Sequence, residues 1–267
     1  MAKAPFALYV IAHPAFAERH EYILRHVAER SEQPPILVGI VGKDVLSAQP
    51  DLPHNPALSA GELGCALSHL AAYRHMVEHD VGQAIILEDD AALPPGFDDL
   101  ARAILAELRP GEVISFHSPT MEENVFSSHG ARRFGKSLLV TPVWAGAVRT
   151  NLSYAIDLAA ARNILRGNDP VNYVADDYRD FYAQGWVSHL RILTPAAVAV
   201  APFESTIGYH GDGTAIQRLA HVLNRTPGIR ALLRLRRRRL RMSRDRNHVI
   251  RPEPSPLMQG NPNYADR

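Results

Sequence analysis

Directly after the apolar run Ala84-Ile85-Ile86-Leu87 the chain places three acids in succession, Glu88-Asp89-Asp90. Like charges a few ångströms apart raise one another's pKa, which makes such a triplet costly as a purely structural element. A divalent cation resolves the conflict. Hard oxygen ligands suit Mg2+ or Mn2+, and those ions usually bind one or two carboxylates together with substrate phosphates. An ion held there would neutralise the charge that develops on a departing nucleoside diphosphate. The competing assignment is a solvated strand end or helix cap, where acids are common.

Other residues carry chemistry in two senses. Ser59-Ala60-Gly61-Glu62 is a capping box, yet the amides around Gly61 to Gly64 open a helix and can meet phosphate or sugar hydroxyls, so Glu62 is both a cap and a candidate binding residue. His69, deeper in that helix, is either a hydrogen-bonded interior residue or a ligand. Cys65 reads as a small core residue. His210 lies in the loop Gly208-Tyr209-His210-Gly211-Asp212-Gly213, where it is either solvent-exposed or a second metal ligand on a closing lid.

The elements that must position these groups follow from periodicity. Residues 6–12 form a strand candidate, 16–30 a helix in which Ile23 and Val27 recur at helical spacing, and 36–41 a second apolar run ended by Gly42. That β-α-β order opens a mostly parallel sheet with helices on its faces. The next helix runs from Ser59 to about His79, and the strand 84–87 carries the acidic triplet at its carboxyl end, where open α/β sheets bind ligands. Pro94-Pro95-Gly96 turns the chain into a helix over 97–108. Strands are expected at 113–116 and 137–140 with a polar loop containing His117, Met121 and Glu122 between them. Helices follow near 157–166 and 176–183, and strands at 190–193 and 197–200. From 215 onward the pattern is helical, broken at Pro227-Gly228.

With 267 residues and 46% hydrophobic content the chain has material for one large α/β domain or two small ones, and disordered or collagen-like classes are excluded. A single cysteine excludes intrachain disulfides and cysteine-rich zinc modules, which fits a reducing cytoplasm. Lys3, the short apolar stretch and Ala15-Phe16-Ala17 have the outline of an export signal, but His13-Pro14 interrupts it and the alternation reads better as a buried opening strand. Nowhere are there the roughly 20 consecutive apolar residues of a membrane-spanning helix.

The pair Leu58-Ser59-Ala60-Gly61-Glu62-Leu63-Gly64-Cys65-Ala66-Leu67-Ser68-His69 and, about twenty residues on, Ile85-Ile86-Leu87-Glu88-Asp89-Asp90 resembles the signature motifs of family 25 glycosyltransferases. These are lipooligosaccharide and lipopolysaccharide sugar transferases related to collagen galactosyltransferase domains. Tyr9-Val10-Ile11 with Arg19 resembles the family's first strand and helix, Gly42 its second-strand turn, Ser153-Tyr154-Ala155-Ile156 a later strand, Asp176-Asp177 a downstream acidic site, and Pro202-Phe203-Glu204-Ser205-Thr206-Ile207 a closing segment. Ala12-His13 departs from the family's usual Asn-Leu.

The resemblance implies a GT-A fold, Rossmann-like and single-domain over residues 1–212, with Mn2+ or Mg2+ as cofactor. Asp90 would bind the metal, with Glu88 and Asp89 toward the metal's water shell, the ribose or the sugar, and Arg19 and Gly42 near the nucleotide. It implies inverting transfer of galactose or glucose from a UDP sugar to a glycan acceptor. Inversion in one displacement needs a carboxylate to take the proton of the attacking hydroxyl. Asp176 and Asp177 are the candidates, with Asp176 in register with the family pattern; a helix N-cap with an acid in the first turn is the alternative.

Two other function classes stay open at this point. A metal-dependent phosphohydrolase also uses carboxylates at a strand end, but lacks here its usual Asp two residues before another after the first strand. A catalytically silent relative that binds sugar nucleotide or glycan keeps the fold without turnover.

Net charge is +1, but residues 225–246 hold ten arginines and one acid, leaving 19 basic against 27 acidic residues elsewhere. We divide the C-terminal part into a helical basic extension, 213–246, and a disordered or loosely packed tail, 247–267. Leu232, Leu233, Leu235 and Leu240 beside Arg236 to Arg239 suit an anionic membrane surface, hence a lipid-linked acceptor and a peripheral location on the inner face of the cytoplasmic membrane. A solubilising tail is the alternative. The lack of aromatics among the arginines argues against nucleic acid.

Overall fold

The computed structural model describes residues 5–117, 126–203 and 249–250. The chain opens with β1 (Ala7–Ile11), α1 (Ala17–Arg30) and β2 (Pro35–Val38), the expected β-α-β unit. Then come α2 (Gly42–Ala48), α3 (Ala60–Glu78), β3 (Gln83–Glu88), β4 (Ala91–Ala92), α4 (Phe97–Leu105), β5 (Glu112–Ser115), β6 (Phe126–Phe134) and β7 (Ser137–Pro142). A 3-10 turn precedes β8 (Ser153–Asp157), α5 (Leu158–Gly167), α6 (Tyr178–Ala183), β9 (His189–Thr194), β10 (Ala199–Val200) and β11 (Val249–Ile250).

Nine strands form one sheet in the order β11-β6-β7-β9-β5-β8-β3-β1-β2, while β4 and β10 pair separately. Tracing the pairings, β1, β2, β3, β5, β6 and β9 run one way and β7, β8 and β11 the other. The sheet is therefore mixed and mostly parallel, as expected.

Strict alternation along the central strands feeds two cores. Tyr9, Ile11, Ala84 and Ile86 point to the side covered by α3, α5 and α6, where Leu63, Leu70, Tyr73, Met76, Ile164 and Phe181 are buried with them. Leu8, Val10, Ile85 and Leu87 point to the other side, against Ile23 and Val27 of α1 and Phe97, Ala101 and Ile104 of α4. With both faces covered, these strands read as continuous apolar runs rather than polar-apolar alternation. Each fully buried Leu, Ile or Val contributes roughly 1.5–3 kcal/mol relative to exposure.

Local chemistry fixes the ends. Ser59 Oγ accepts from Glu62 N and Glu62 Oε2 accepts from Ser59 N, so the capping box starts α3 as expected. Gly96 adopts φ +73 immediately before α4, a left-handed turn that suits glycine. Gly42 and Gly64 meet where α2 abuts α3. A Cβ on Gly42 would stand 1.9 Å from Ala60 O, and one on Gly64 would stand 2.6 Å from Gly42 N.

One expectation needs correction. The polar loop expected before residue 137 holds β6, an edge-region strand whose arginines face solvent, so its composition hides it. The segment after Gly42, which periodicity left unassigned, is helical as α2: its short Lys43-Asp44-Val45-Leu46 stretch is too brief for a visible period. Val249–Ile250, in the C-terminal tail, pairs antiparallel with β6 at Ser127 and Phe126. The basic extension, 213–246, lies outside the described residues.

Candidate active site

Register places the site. Val10 pairs with Leu87 and Ile11 with Glu88, so the carboxyl ends of β1 and β3 stop side by side. β8 runs antiparallel between β3 and β5, which brings its amino end to the same edge: Glu88 N donates to Leu152 O at 2.9 Å and Phe116 N to Ser153 O at 2.9 Å. The acidic triplet is thus met from one side by α1, from another by the residues preceding β8, and from beyond by the β4–β10 ribbon, where Ala201 N donates to Asp90 O at 2.7 Å.

Arg19 on α1 spans two of the acids. Its Nε donates to Asp89 Oδ1 at 2.9 Å, and a terminal guanidinium nitrogen lies 2.5 Å from Asp89 Oδ1 and 2.8 Å from Asp90 Oδ2. The Phe203 ring sits 5.5 Å from the guanidinium carbon, a cation–π contact that brings this residue onto the site. Asp90 Oδ1 is buried without a hydrogen-bond partner. Burial first, then the neighbouring Glu88 charge, push Asp90 up to about 6 despite Arg19. Burial and the Asp89 charge push Glu88 up to about 7. One guanidinium does not neutralise three carboxylates. An unpartnered carboxylate oxygen among all-oxygen donors is what a hard divalent cation would satisfy, so the residues present fit Mn2+ or Mg2+.

His69 is buried on α3, with Nδ1 2.8 Å from the Tyr154 hydroxyl and Nε2 3.3 Å from Glu88 Oε1. Tyr154 in turn lies 2.6 Å from the Tyr73 hydroxyl. Burial lowers His69 to about 4, so it stays neutral near pH 7. It is both the hydrogen-bonded interior residue and a neighbour of the triplet. Cys65 departs from the small core residue expected: it is only partly buried, and its thiol approaches His69 and Glu88.

Asp176 occupies the turn before α6. Burial, then the Glu88 charge, push it up to about 6, and its field also reaches His69, so it stands with the triplet. Asp177 is the N-cap residue of α6 but makes no side-chain cap bond, and its carboxyl is engaged with Asp180 instead. The two acids therefore part company, one toward Glu88 and one toward α6.

Sequence reasoning missed the clamp that holds Asp176. Buried Asn151, just before β8, donates from Nδ2 to Ala175 O at 2.5 Å and accepts from the Tyr178 hydroxyl on its Oδ1 at 2.5 Å. A polar residue at the mouth of a buried strand was the available signal. Glu62 and Gly42 fill the capping and close-approach roles described above, while His210 lies outside the described residues.

The sequence profile of Glycosyltransferase family 25 (LPS biosynthesis protein) matches residues 8–179, well over half of the chain. The chain belongs to this family. A "Glycosyltransferase 25 family member" of Anopheles gambiae is 29% identical over 56% of this chain and 26% of its own length. A protein of the same name from Aedes aegypti is 26% identical over 61% of this chain and 27% of its own. The Bos taurus "Probable inactive glycosyltransferase 25 family member 3" is 25% identical over 64% and 30%. This chain thus spans less than a third of the length of these family members. Among solved structures, mannose-1-phosphate geranyltransferase from Thermus thermophilus overlays with a TM-score of 0.37 at 12% identity, covering 71% of this chain and 73% of that one. No helix among the described residues is long and apolar enough to cross a membrane.

Proposed function

We propose that this family 25 chain is an inverting glycosyltransferase that moves a hexose, galactose or glucose, from a UDP sugar to a hydroxyl of a glycan acceptor such as lipooligosaccharide. The observation that carries the reading is the unpartnered, buried Asp90 Oδ1 in a cluster where Glu88, Asp90 and Asp176 are all pushed up toward neutral pH. Asp90, with Glu88 beside it, would hold Mn2+ or Mg2+, which when bound supplies charge neutralisation for the departing diphosphate.

The chain's own residues do the rest. Arg19 holds Asp89 and the far oxygen of Asp90, leaving Asp90 Oδ1 directed to the ligand. Asp176 accepts the proton of the acceptor hydroxyl as that oxygen bonds to the anomeric carbon and the bond from that carbon to UDP breaks. A carboxylate pushed up to about 6 is a stronger base than an ordinary aspartate and is still largely ionised near pH 7.5. The Asn151 clamp fixes its backbone. An Arg-rich extension on an anionic membrane would bring a lipid-linked acceptor to this edge.

A second reading, a silent sugar-nucleotide binder, is favoured by one observation: Arg19 already engages both Asp89 and Asp90. Thermal stability with UDP and Mn2+ together, compared with each alone, tests the donor site, and UDP release on adding acceptor separates enzyme from binder. Stabilisation by the pair greater than by the two ligands singly is expected; its absence removes the donor-site reading.

A further inference from the structure

A thiol, an imidazole and a carboxylate converge where α3 meets the end of β3. Ligand atoms of Cys65, His69 and Glu88 all lie within 4.8 Å of one another. Cys65 and His69 are four residues apart on α3, so one face of the helix presents both. The His69 Nε2 to Glu88 Oε1 distance is 3.3 Å. Two ligands each about 2.1 Å from a tetrahedral ion stand about 3.4 Å apart, so this pair needs almost no movement to share one ion. With all three ligand atoms within 4.8 Å of one another, the thiol has to close by at most about an ångström.

The second nitrogen of His69 completes the case. Its Nδ1 contacts the Tyr154 hydroxyl, which is tied to Tyr73, so Tyr154 can accept from Nδ1–H while donating to Tyr73 and leave the Nε2 lone pair facing Glu88. Metal-binding histidines characteristically engage their other nitrogen in this way, fixing tautomer and ring orientation. Without a cation, that tautomer sets a lone pair against a carboxylate oxygen. Sulfur and nitrogen donors select a softer ion than the all-oxygen donors of the triplet, and Mg2+ or Mn2+ makes little use of a thiolate.

We propose that Cys65, His69 and Glu88 bind one zinc-class divalent cation, at a site distinct in donor chemistry from the oxygen-ligated cation site proposed above but sharing Glu88 with it. A water completes the four-coordinate shell. Zinc bound there withdraws Glu88 from the donor site, so the two cations compete. The three side chains would take the ion whether or not the chain transfers sugar.

Cobalt titrated into the chelator-treated full chain tests this by absorbance. The expected result is one equivalent of Co2+ giving a near-ultraviolet cobalt–thiolate charge-transfer band, displaced by Zn2+, and lost in Cys65→Ser. Cys65 is the only cysteine in the chain, so the band has no other source. His69→Gln and Glu88→Gln should each weaken apparent affinity at least about 10-fold, and Asp90→Asn should leave the band in place. A wild-type chain without the band overturns the proposal, as does a band whose affinity is unchanged in both the His69 and Glu88 variants. Cys65→Ser is nearly isosteric, and its melting temperature against wild type checks folding. A cobalt–thiolate band from a chain that, freed of cobalt and zinc, shows no UDP–Mn2+ synergy would sink the transferase reading and leave this one standing.

Discussion

Replacing Asp90 by Asn should make the metal-free protein more stable while removing the proposed cation site. The Asp90 side chain is 17% exposed, with one oxygen paired to Arg19 and the other buried and unpartnered. Its pKa is pushed from 3.8 up to about 6, by burial first and then by Glu88. A carboxyl that titrates near 6 instead of 3.8 is disfavoured in its ionised form by about 3 kcal/mol in the folded state. Relaxation of a partly open site reduces this to about 1–3 kcal/mol. Asparagine keeps the shape and removes the charge. The penalty in the wild type is absent below about pH 4, grows as pH rises through the interval between 3.8 and about 6, and is complete above it. The variant and the wild type should therefore melt together near pH 4 and diverge by about 2–8 °C near pH 7.5 in chelator, the variant higher. Adding Mn2+ with UDP should raise only the wild type. Melting curves by circular dichroism at the two pH values decide it. A variant that melts below wild type near pH 7.5, or a gap independent of pH, would refute the claim that the triplet is held against its own charge.

Asp176→Asn should lower turnover about 10²- to 10⁴-fold with UDP affinity within a few fold, whereas Asp177→Asn, whose carboxyl engages Asp180, should leave turnover within a few fold; steady-state UDP release with acceptor measures both. Gly42→Ala should destabilise the chain by about 1–3 kcal/mol or more in urea unfolding, because its Cβ meets Ala60 O at 1.9 Å; a neutral effect would return Gly42 to a purely binding role. Arg191→Met should cost about 3–5 kcal/mol, since Arg191 Nε pairs with the fully buried Glu112 at 2.5 Å and its loss strands that charge; unchanged urea unfolding would refute this. A chain ending at Asn224 should lose cosedimentation with anionic liposomes, and equal recovery of both chains in the supernatant discards the membrane role of the tail.

What was legible in the sequence was what local patterns encode. Ser59 to Glu62 starts a helix through two reciprocal hydrogen bonds within four residues, and α3 begins at Ala60 as read. The triplet stands at a strand end because Ala84 to Leu87 is buried on both faces, which only a central strand allows. Strand β6 was not legible. Ser127, Ser128, Arg132 and Arg133 resemble a loop, and only pairing with β7, across a register shift, makes the segment a strand. The helical start at Gly42 was hidden for a similar reason: the two glycines that let α2 press on α3 are 22 residues apart, and their contact exists only in three dimensions.

The site was half legible for the same physical reason. A run of acids after an apolar strand is visible in sequence, so Glu88, Asp89 and Asp90 could be singled out from the residues alone, and Asp176 and Asp177 from the family resemblance, but which of these acids stand together is decided by the fold. Because β8 runs antiparallel to β3, Asn151 lies at the edge that carries the acidic triplet instead of the far one, where it holds Ala175 and Tyr178 on either side of Asp176 and Asp177. Reversing β8 would carry Asn151 to the opposite edge of the sheet and leave the Asp176 turn without its anchor. Asn151→Ala should accordingly lower turnover while leaving UDP–Mn2+ stabilisation near the wild-type value, and a variant with full turnover would show that the turn before α6 holds Asp176 without it.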